Sequence, residues 1–246
     1  MFHALFTQPI LNAIVFLYNI IPGNDFGIAI VVLTILIRTL LIPVAKKGIK
    51  SQRALTKIQP QVKKLREKYK DDSQKMTKET LALYKKENIH PMSGFVPLLI
   101  QIPIIFGLFR AITILFPRGE EMVNMGFIES DLYSFVAFPE VFEQIGLFGL
   151  FPDLTGQSIV LAVLAGIGQY VQSKLTFQKK NNSGKKEEGP QNMMRVQMQY
   201  IFPVITVFIA ASLPAALALY WFTATVFAVG QQVVFLRHEK ESEEKK

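Results

Sequence analysis

Five predominantly apolar runs, at 27–45, 93–116, 157–175, 197–212 and 214–236, constrain this chain more than any other feature. Each approaches the roughly 20 residues that an α-helix needs to cross about 30 Å of hydrocarbon. The charges lie between the runs, gathered into a few blocks. Half of the 246 residues are hydrophobic and the mean hydropathy is +0.28, yet the net charge is +8. A single soluble core has no room for so many apolar side chains, so the pattern predicts an all-α polytopic membrane protein with five transmembrane helices. The fourth run is short, which favours tilting or local thinning of the bilayer. It is joined to the fifth through "SLP" (Ser212–Pro214), and this predicts a tight antiparallel pair.

The basic residues predict the orientation. Segment 46–92 holds fourteen Lys or Arg against five acids, and segment 176–196 adds "KKNNSGKK" and Arg195. Met1–Phe26 contains no Lys or Arg, and segment 117–156 sets Arg118 against seven acids. The positive-inside rule therefore puts residues 1–26 and 117–156 outside, and 46–92, 176–196 and the tail 237–246 in the cytoplasm. Residues 1–26 are apolar all round and are expected to form an interfacial helix. They lack a basic start and a cleavage site, so no signal peptide is expected.

Segment 46–92 has helical periodicity, with Leu55, Ile58, Val62 and Leu65 three and four apart. "DDS" (Asp71–Ser73) predicts a turn and N-cap, after which Met76, Leu81 and Tyr84 carry a second helix to His90–Pro91. The expected product is a charged cytoplasmic helical hairpin, kinked or restarted at Pro60. "NNSGKKEEGP" reads as a flexible loop. No internal repeat is evident, which argues against inverted-repeat transporters.

Arg38 stands out. A straight helix places it about 12 Å before Lys46, too deep for simple snorkelling. A cation at mid-depth costs about 2.5–3.5 kcal/mol on insertion scales, and none of the five runs contains Asp or Glu. Gln101 in the second run, with Gln169 and Gln172 in the third, can supply neutral oxygens. The simplest arrangement is a water-filled, positively charged cavity in the bundle; an arginine packed structurally against carbonyls is the other reading. Arg110 lies nearer its helix end and can lean outward. Trp221, the sole tryptophan, is either an interfacial anchor or a groove-lining residue. The basic hairpin suits anionic lipid headgroups as well as a protein partner.

No enzyme is expected. The chain has no cysteine, so thiol chemistry is excluded, and its three histidines are too scattered to suggest a metal site; no cofactor is expected. "NSGKK" lacks the upstream glycine of a P-loop, "PMSGF" has Pro91 where a serine-nucleophile motif has glycine, and paired intramembrane aspartates are missing.

The blocks "IRTLLIPVAKKGIKSQRALTKIQPQVKKLREKYKDD", "LYKKENIHPMSGFVPLLIQIPIIFGLFRAI" and "LPAALALYWFTATVFAVGQQ" resemble the YidC/Oxa membrane-protein insertase family, in order and spacing, over about Asp25–Leu236. The chain is similar to the short five-span form of Gram-positive and related bacteria. The resemblance implies a groove open to the cytoplasm and to lipid but closed outside. The arginine matched by Arg38 makes that groove hydrophilic, Gln101 falls in the "PLLIQ-P" block, and Trp221 follows Tyr220 as in related sequences. It implies capture of segments with polar or acidic tails and their lateral release into the bilayer of a bacterial plasma membrane. The implied partners are nascent membrane proteins, with the ribosome and the Sec translocon as candidates. The tail is short and carries four glutamates, so strong ribosome binding by it is not expected. No sequence-specific nucleic-acid binding is expected. A small-anion channel or transporter built on Arg38 is the alternative.

Overall fold

A computed structural model describes residues 1–89, 96–117, 128, 130–139, 142–151, 153–176 and 196–244. The "NNSGKKEEGP" loop, the His90–Pro91 end of the hairpin, Arg118 and the last two lysines lie outside the described residues. Regular structure among the described residues is helical, with two isolated β-bridges at Asp25–Gln144 and Leu147–Phe151. In chain order the helices are α1 (Gln8–Ile20), α2 (Phe26–Leu40), α3 (Ile42–Lys68), α4 (Ser73–Lys86), α5 (Val96–Leu115), α6 (Ile159–Thr176), α7 (Phe202–Ser212) and α8 (Ala215–Glu244). They fall into two compact units, one of residues 1–40 and 102–246, the other of residues 41–101.

In the larger unit α8 is the central element, and α2 and α6 both pack on it. α6 brings buried Ala162, Ala165 and Gly168 to its contacts. A Cβ on Gly168 would lie 2.5 Å from Thr225 Oγ1 of α8, so only glycine allows this approach. α7 packs on α6 and returns through extended Leu213 into α8. π-Helical turns precede α1 (His3–Thr7) and α7 (Gln197–Ile201). Both have a proline two residues downstream, Pro9 and Pro203. A proline ring clashes with the carbonyl four residues back, and each π turn contains that carbonyl's residue, Leu5 or Gln199. Widening the turn moves the bond to i→i−5, as in Gln8 N–H to His3 O, and relieves the crowding.

Segment 142–156 closes one end of this unit by capping two helix N-termini. Those termini carry N–H groups with no partner inside the helix. At α2, Asp25 is buried; its Oδ1 accepts from Ile28 N (2.8 Å) and its Oδ2 from Phe148 N (2.7 Å). Gly27 N donates to Gly146 O at 2.7 Å, and a Cβ on Gly27 would sit 2.6 Å from that same oxygen. At α8, Ala215 N and Ala216 N donate to Gly156 O and Leu154 O. The turn that aims these carbonyls is organised by Asp153, whose Oδ1 accepts from the hydroxyl (2.6 Å) and backbone N–H (2.7 Å) of Thr155. The Thr155 hydroxyl holds the Asp153 carboxyl below its ordinary pKa. Phe142 anchors the segment, its ring 4.7 Å from Tyr18, 5.0 Å from Phe116 and 6.1 Å from Phe26.

Residues 1–26 do more than lie on a surface. Leu11, Ile14, Val15 and Tyr18 are fully buried, and α1 packs on α2. Asn12 clamps segment 130–139, donating to Asp131 O (2.9 Å) and accepting from Tyr133 N (2.6 Å).

The smaller unit is a helical hairpin with its own core of Ile58, Val62 and Ile89, flanked by Ala54, Leu55, Leu83 and Tyr84. Asp72 caps α4, accepting from Lys75 N at 2.9 Å. α3 runs through Pro60 as one helix, so of the expected kink or restart the restart does not occur.

Two boundaries differ from the sequence reading. The run 27–45 is not one helix: α2 ends at Leu40 and α3 begins at Ile42, with Leu41 at φ −86°, ψ 0°. Pro43 is the cause, because it has no N–H for the Thr39 carbonyl and its ring crowds that oxygen. The charged tail is not separate from the fifth run, since α8 continues to Glu244. By length and composition, two helices among the described residues can cross a membrane (Ile159–Thr176 and Ala215–Phe235), or three if α2 and α3 count as one broken span. The apolar helices Leu99–Leu115 and Gln197–Ser212 are shorter.

The cap is expected to contribute measurably to stability. Asp25→Ala should lower it by about 1–2 kcal/mol, the usual value of an N-cap side chain. Gly27→Ala should lower the midpoint as well, since backbone must move. Unchanged thermal unfolding of both variants in detergent would refute this role.

Candidate functional site

α2 has two chemically distinct faces. Phe26, Ala29, Ile30, Leu33 and Thr34 are buried, while Ile35, Leu36 and Leu40 are exposed. Side chains four apart share a face, so Arg38 continues the packed stripe through Ile30 and Thr34. It is half-buried, and its Nε is shielded from solvent. Helical side chains lean toward the helix N-terminus, which directs Arg38 back along α2 toward the capped end. α2 packs on α8, in which Tyr220 is buried. Thr34 satisfies its own hydroxyl on Ile30 O at 2.6 Å. Because α2 stops at Leu40, the 12 Å depth of a straight helix no longer describes Arg38; its helix face is what sets its surroundings.

Gln169 and Gln172 lie on the packed side of α6 and are half-buried. The opposite side carries exposed Val160, Val163, Ile167 and Val171. One turn beyond Gln172, Thr176 Oγ1 lies 2.9 Å from Gln172 O and 3.3 Å from Gln232 Oε1 of α8, a polar pair where α6 meets α8. Trp221 is half-buried on α8, next to Tyr220. Arg38, Gln169, Gln172 and Trp221 thus stand on three helices joined through α8. Gln101 belongs to the smaller unit, near the start of α5, and is half-buried. Arg110 is exposed.

Sequence reasoning missed Gln231. It lies eleven residues after Tyr220, three helical turns, on the same face of α8 as Tyr220 and Ala224. Its Nε2 is buried and has no hydrogen-bond partner among the described residues. The signal was present as "GQQ" inside an apolar helix. A shallow groove of about 220 Å³ between α6 and α7, lined by Val163, Ile167, Tyr170, Val204 and Val207, contains none of these polar groups. No cluster of metal-ligating side chains occurs among the described residues.

The sequence profile of the 60Kd inner membrane protein family matches residues 16–243. The chain belongs to this family, that of the YidC/Oxa insertases. It is 34% identical over 216 residues to membrane protein insertase YidC 1 of Listeria monocytogenes serotype 4b (strain F2365), covering 86% of this chain and 64% of that protein. It is 32% identical over 215 residues to membrane protein insertase MisCA of Bacillus subtilis (strain 168), covering 86% and 70%. The chain therefore spans less than two thirds of the Listeria relative. A crystal structure of an active YidC insertase with the first transmembrane domain resolved matches with a TM-score of 0.60 at 23% identity, over 93% of this chain and 45% of that one, and so has the same fold. The YidC/Oxa family is not an enzyme family in the catalytic sense, and its apolar helices make this chain a bacterial membrane protein. The relatives lend no support to an anion channel.

Gln231→Leu tests whether that amide serves the fold. A buried amide without a partner is destabilising by about 1–3 kcal/mol, so the variant should unfold at the same temperature or higher. A fall in its unfolding midpoint would show that Gln231 is structural.

Proposed function

We propose that this YidC-family chain is a membrane-protein insertase that holds a polar or acidic segment in a positively charged groove and releases the attached apolar segment sideways into lipid. The observation that carries this reading is the position of Arg38 on the packed face of α2, turned from the exposed Leu36 and Leu40. A guanidinium in low-dielectric surroundings attracts a carboxylate far more strongly than one in water. Gln169, Gln172 and Trp221 are the neutral members of the groove, the Gln231 amide offers a further donor at the α8 end nearer the tail, and Gln101 is a candidate on the family resemblance alone. The relatives' names as membrane protein insertases support the same activity.

The topology that fits has five spans, the N-terminus outside, and the hairpin and C-terminus in the cytoplasm. α7 is short, which suits a locally thinned bilayer. On this arrangement segment 142–156 seals the outer end, so substrate enters from the cytoplasm and leaves only into lipid. The basic hairpin suits anionic headgroups and incoming chains. Ribosome and Sec translocon are the partners to test.

Purified protein in liposomes, supplied with stalled or released membrane-protein chains, should insert substrates with acidic outer tails. Arg38→Ala should fold but lose at least tenfold of that insertion, whereas Arg38→Lys should keep much of it, because the charge matters more than a bidentate fork. Neutral-tailed substrates should depend on Arg38 least. Equal loss in Arg38→Lys and Arg38→Ala, or no effect of tail charge, would overturn electrostatic capture.

A further inference from the structure

Neither the groove nor the helix packing uses the tip of the capping segment, Phe148–Gly149–Leu150. Phe148 is 71% exposed and Leu150 76%. The tip is a two-residue turn in which Leu150 N donates to Leu147 O at 2.9 Å, and Leu147 N to Phe151 O at 2.9 Å. Phe148 has φ +49° and Gly149 φ +70°. Two successive positive φ values define a turn that favours asparagine or glycine at its first position. A bulky aromatic there is strained, and such strain persists where the surroundings enforce it. The Asp25 carboxylate does so by accepting from Phe148 N. The fold thus holds a large apolar ring in an unfavourable backbone conformation and points it into the surroundings.

Its level in the fold indicates what those surroundings are. Gly146 O receives Gly27 N at the first turn of α2, and Leu154, which bonds back to Ile145 O, receives Ala216 N at the first turn of α8. The tip is therefore fixed where two apolar helices begin. For helices that cross a bilayer, this is the boundary between headgroups and acyl chains, into which interfacial segments bury Phe and Leu side chains. Residues 144–151 contain no charged side chain, which would resist entry there.

We propose that Phe148 and Leu150 insert into this lipid boundary and fix the depth of the cap, and hence of α2 and α8, in the membrane. The inference rests on α2 and α8 crossing the bilayer and not on insertase activity, so either reading can fail without the other. The test uses full-length protein in phosphatidylcholine–phosphatidylglycerol vesicles, with Trp221→Phe and Phe148→Trp making position 148 the sole tryptophan. Compared with a Lys70→Trp reporter at the exposed hairpin turn, position 148 should be quenched several-fold more by phospholipid spin-labelled near the carbonyl end of its chain. It should be quenched several-fold less by iodide present on both sides. Leu150→Trp gives the same reading if the first variant misfolds. Iodide quenching equal to that at position 70 would overturn the proposal, as would protection from iodide without quenching by lipid, which would indicate a protein contact. Phe148→Gly should leave the unfolding midpoint in detergent unchanged or raised. A lowered midpoint would mean that the ring packs within the fold, and would also overturn the proposal.

Discussion

Hydrocarbon offers no hydrogen bonds and little solvation for charge, so an apolar helix carrying Arg38 has to turn that residue toward other helices. That requirement fixes the rotation of α2: Ile30, Thr34 and Arg38 go inward, and Ile35, Leu36 and Leu40 go outward. α8 accommodates it by presenting a face of small and polar residues, Tyr220, Ala224 and Gln231. α6 does likewise, with its glutamines on the packed side and its valines outside. The packed faces are mainly apolar, with Thr34, Thr225 and Gln232 among the few buried polar side chains.

Segment 142–156 makes this arrangement directional. Asp25 and the carbonyls of Gly146, Leu154 and Gly156 satisfy the first N–H groups of α2 and α8, so the capped end is closed by backbone bonding as well as by the Phe142 ring cluster. The opposite end has no equivalent among the described residues. There α8 runs on into charged sequence and α2 gives way to the hairpin. A half-buried cation on the packed face of α2, and helix N-termini capped by backbone carbonyls, are the features on which the proposed capture and lateral release depend.

Much of this was legible in the sequence because it is local. The apolar runs, the "SLP" turn, the hairpin periodicity and the Asp72 cap follow from spacing and from residues within one turn of each other. Pro43 could have been read as a helix break before Ala45, and "GQQ" as a polar end of α8, but hydropathy averages over both. The cap was not legible: Asp25 meets Phe148 across 123 positions, and nothing near either residue announces the other. The burial of α1 was hidden for the same reason, since Asn12 finds its partners in segment 130–139. Arg38 stands out from the sequence because the cost of a charge among apolar residues is a local property. Gln101 belongs to the smaller unit, so its part in the proposed groove rests on the family resemblance.

The central claim is that a positive charge at position 38, rather than an arginine fork, performs capture. The chain has no cysteine, so Arg38→Cys provides a unique handle for chemical replacement of that charge. Arg38→Cys should insert acidic-tailed substrates poorly in proteoliposomes. Modification with a cationic ethylammonium thiosulfonate should restore insertion, while the anionic ethylsulfonate reagent, attached to the same extent, should not. Equal behaviour of the two adducts, with both restoring activity or neither doing so, would contradict the claim.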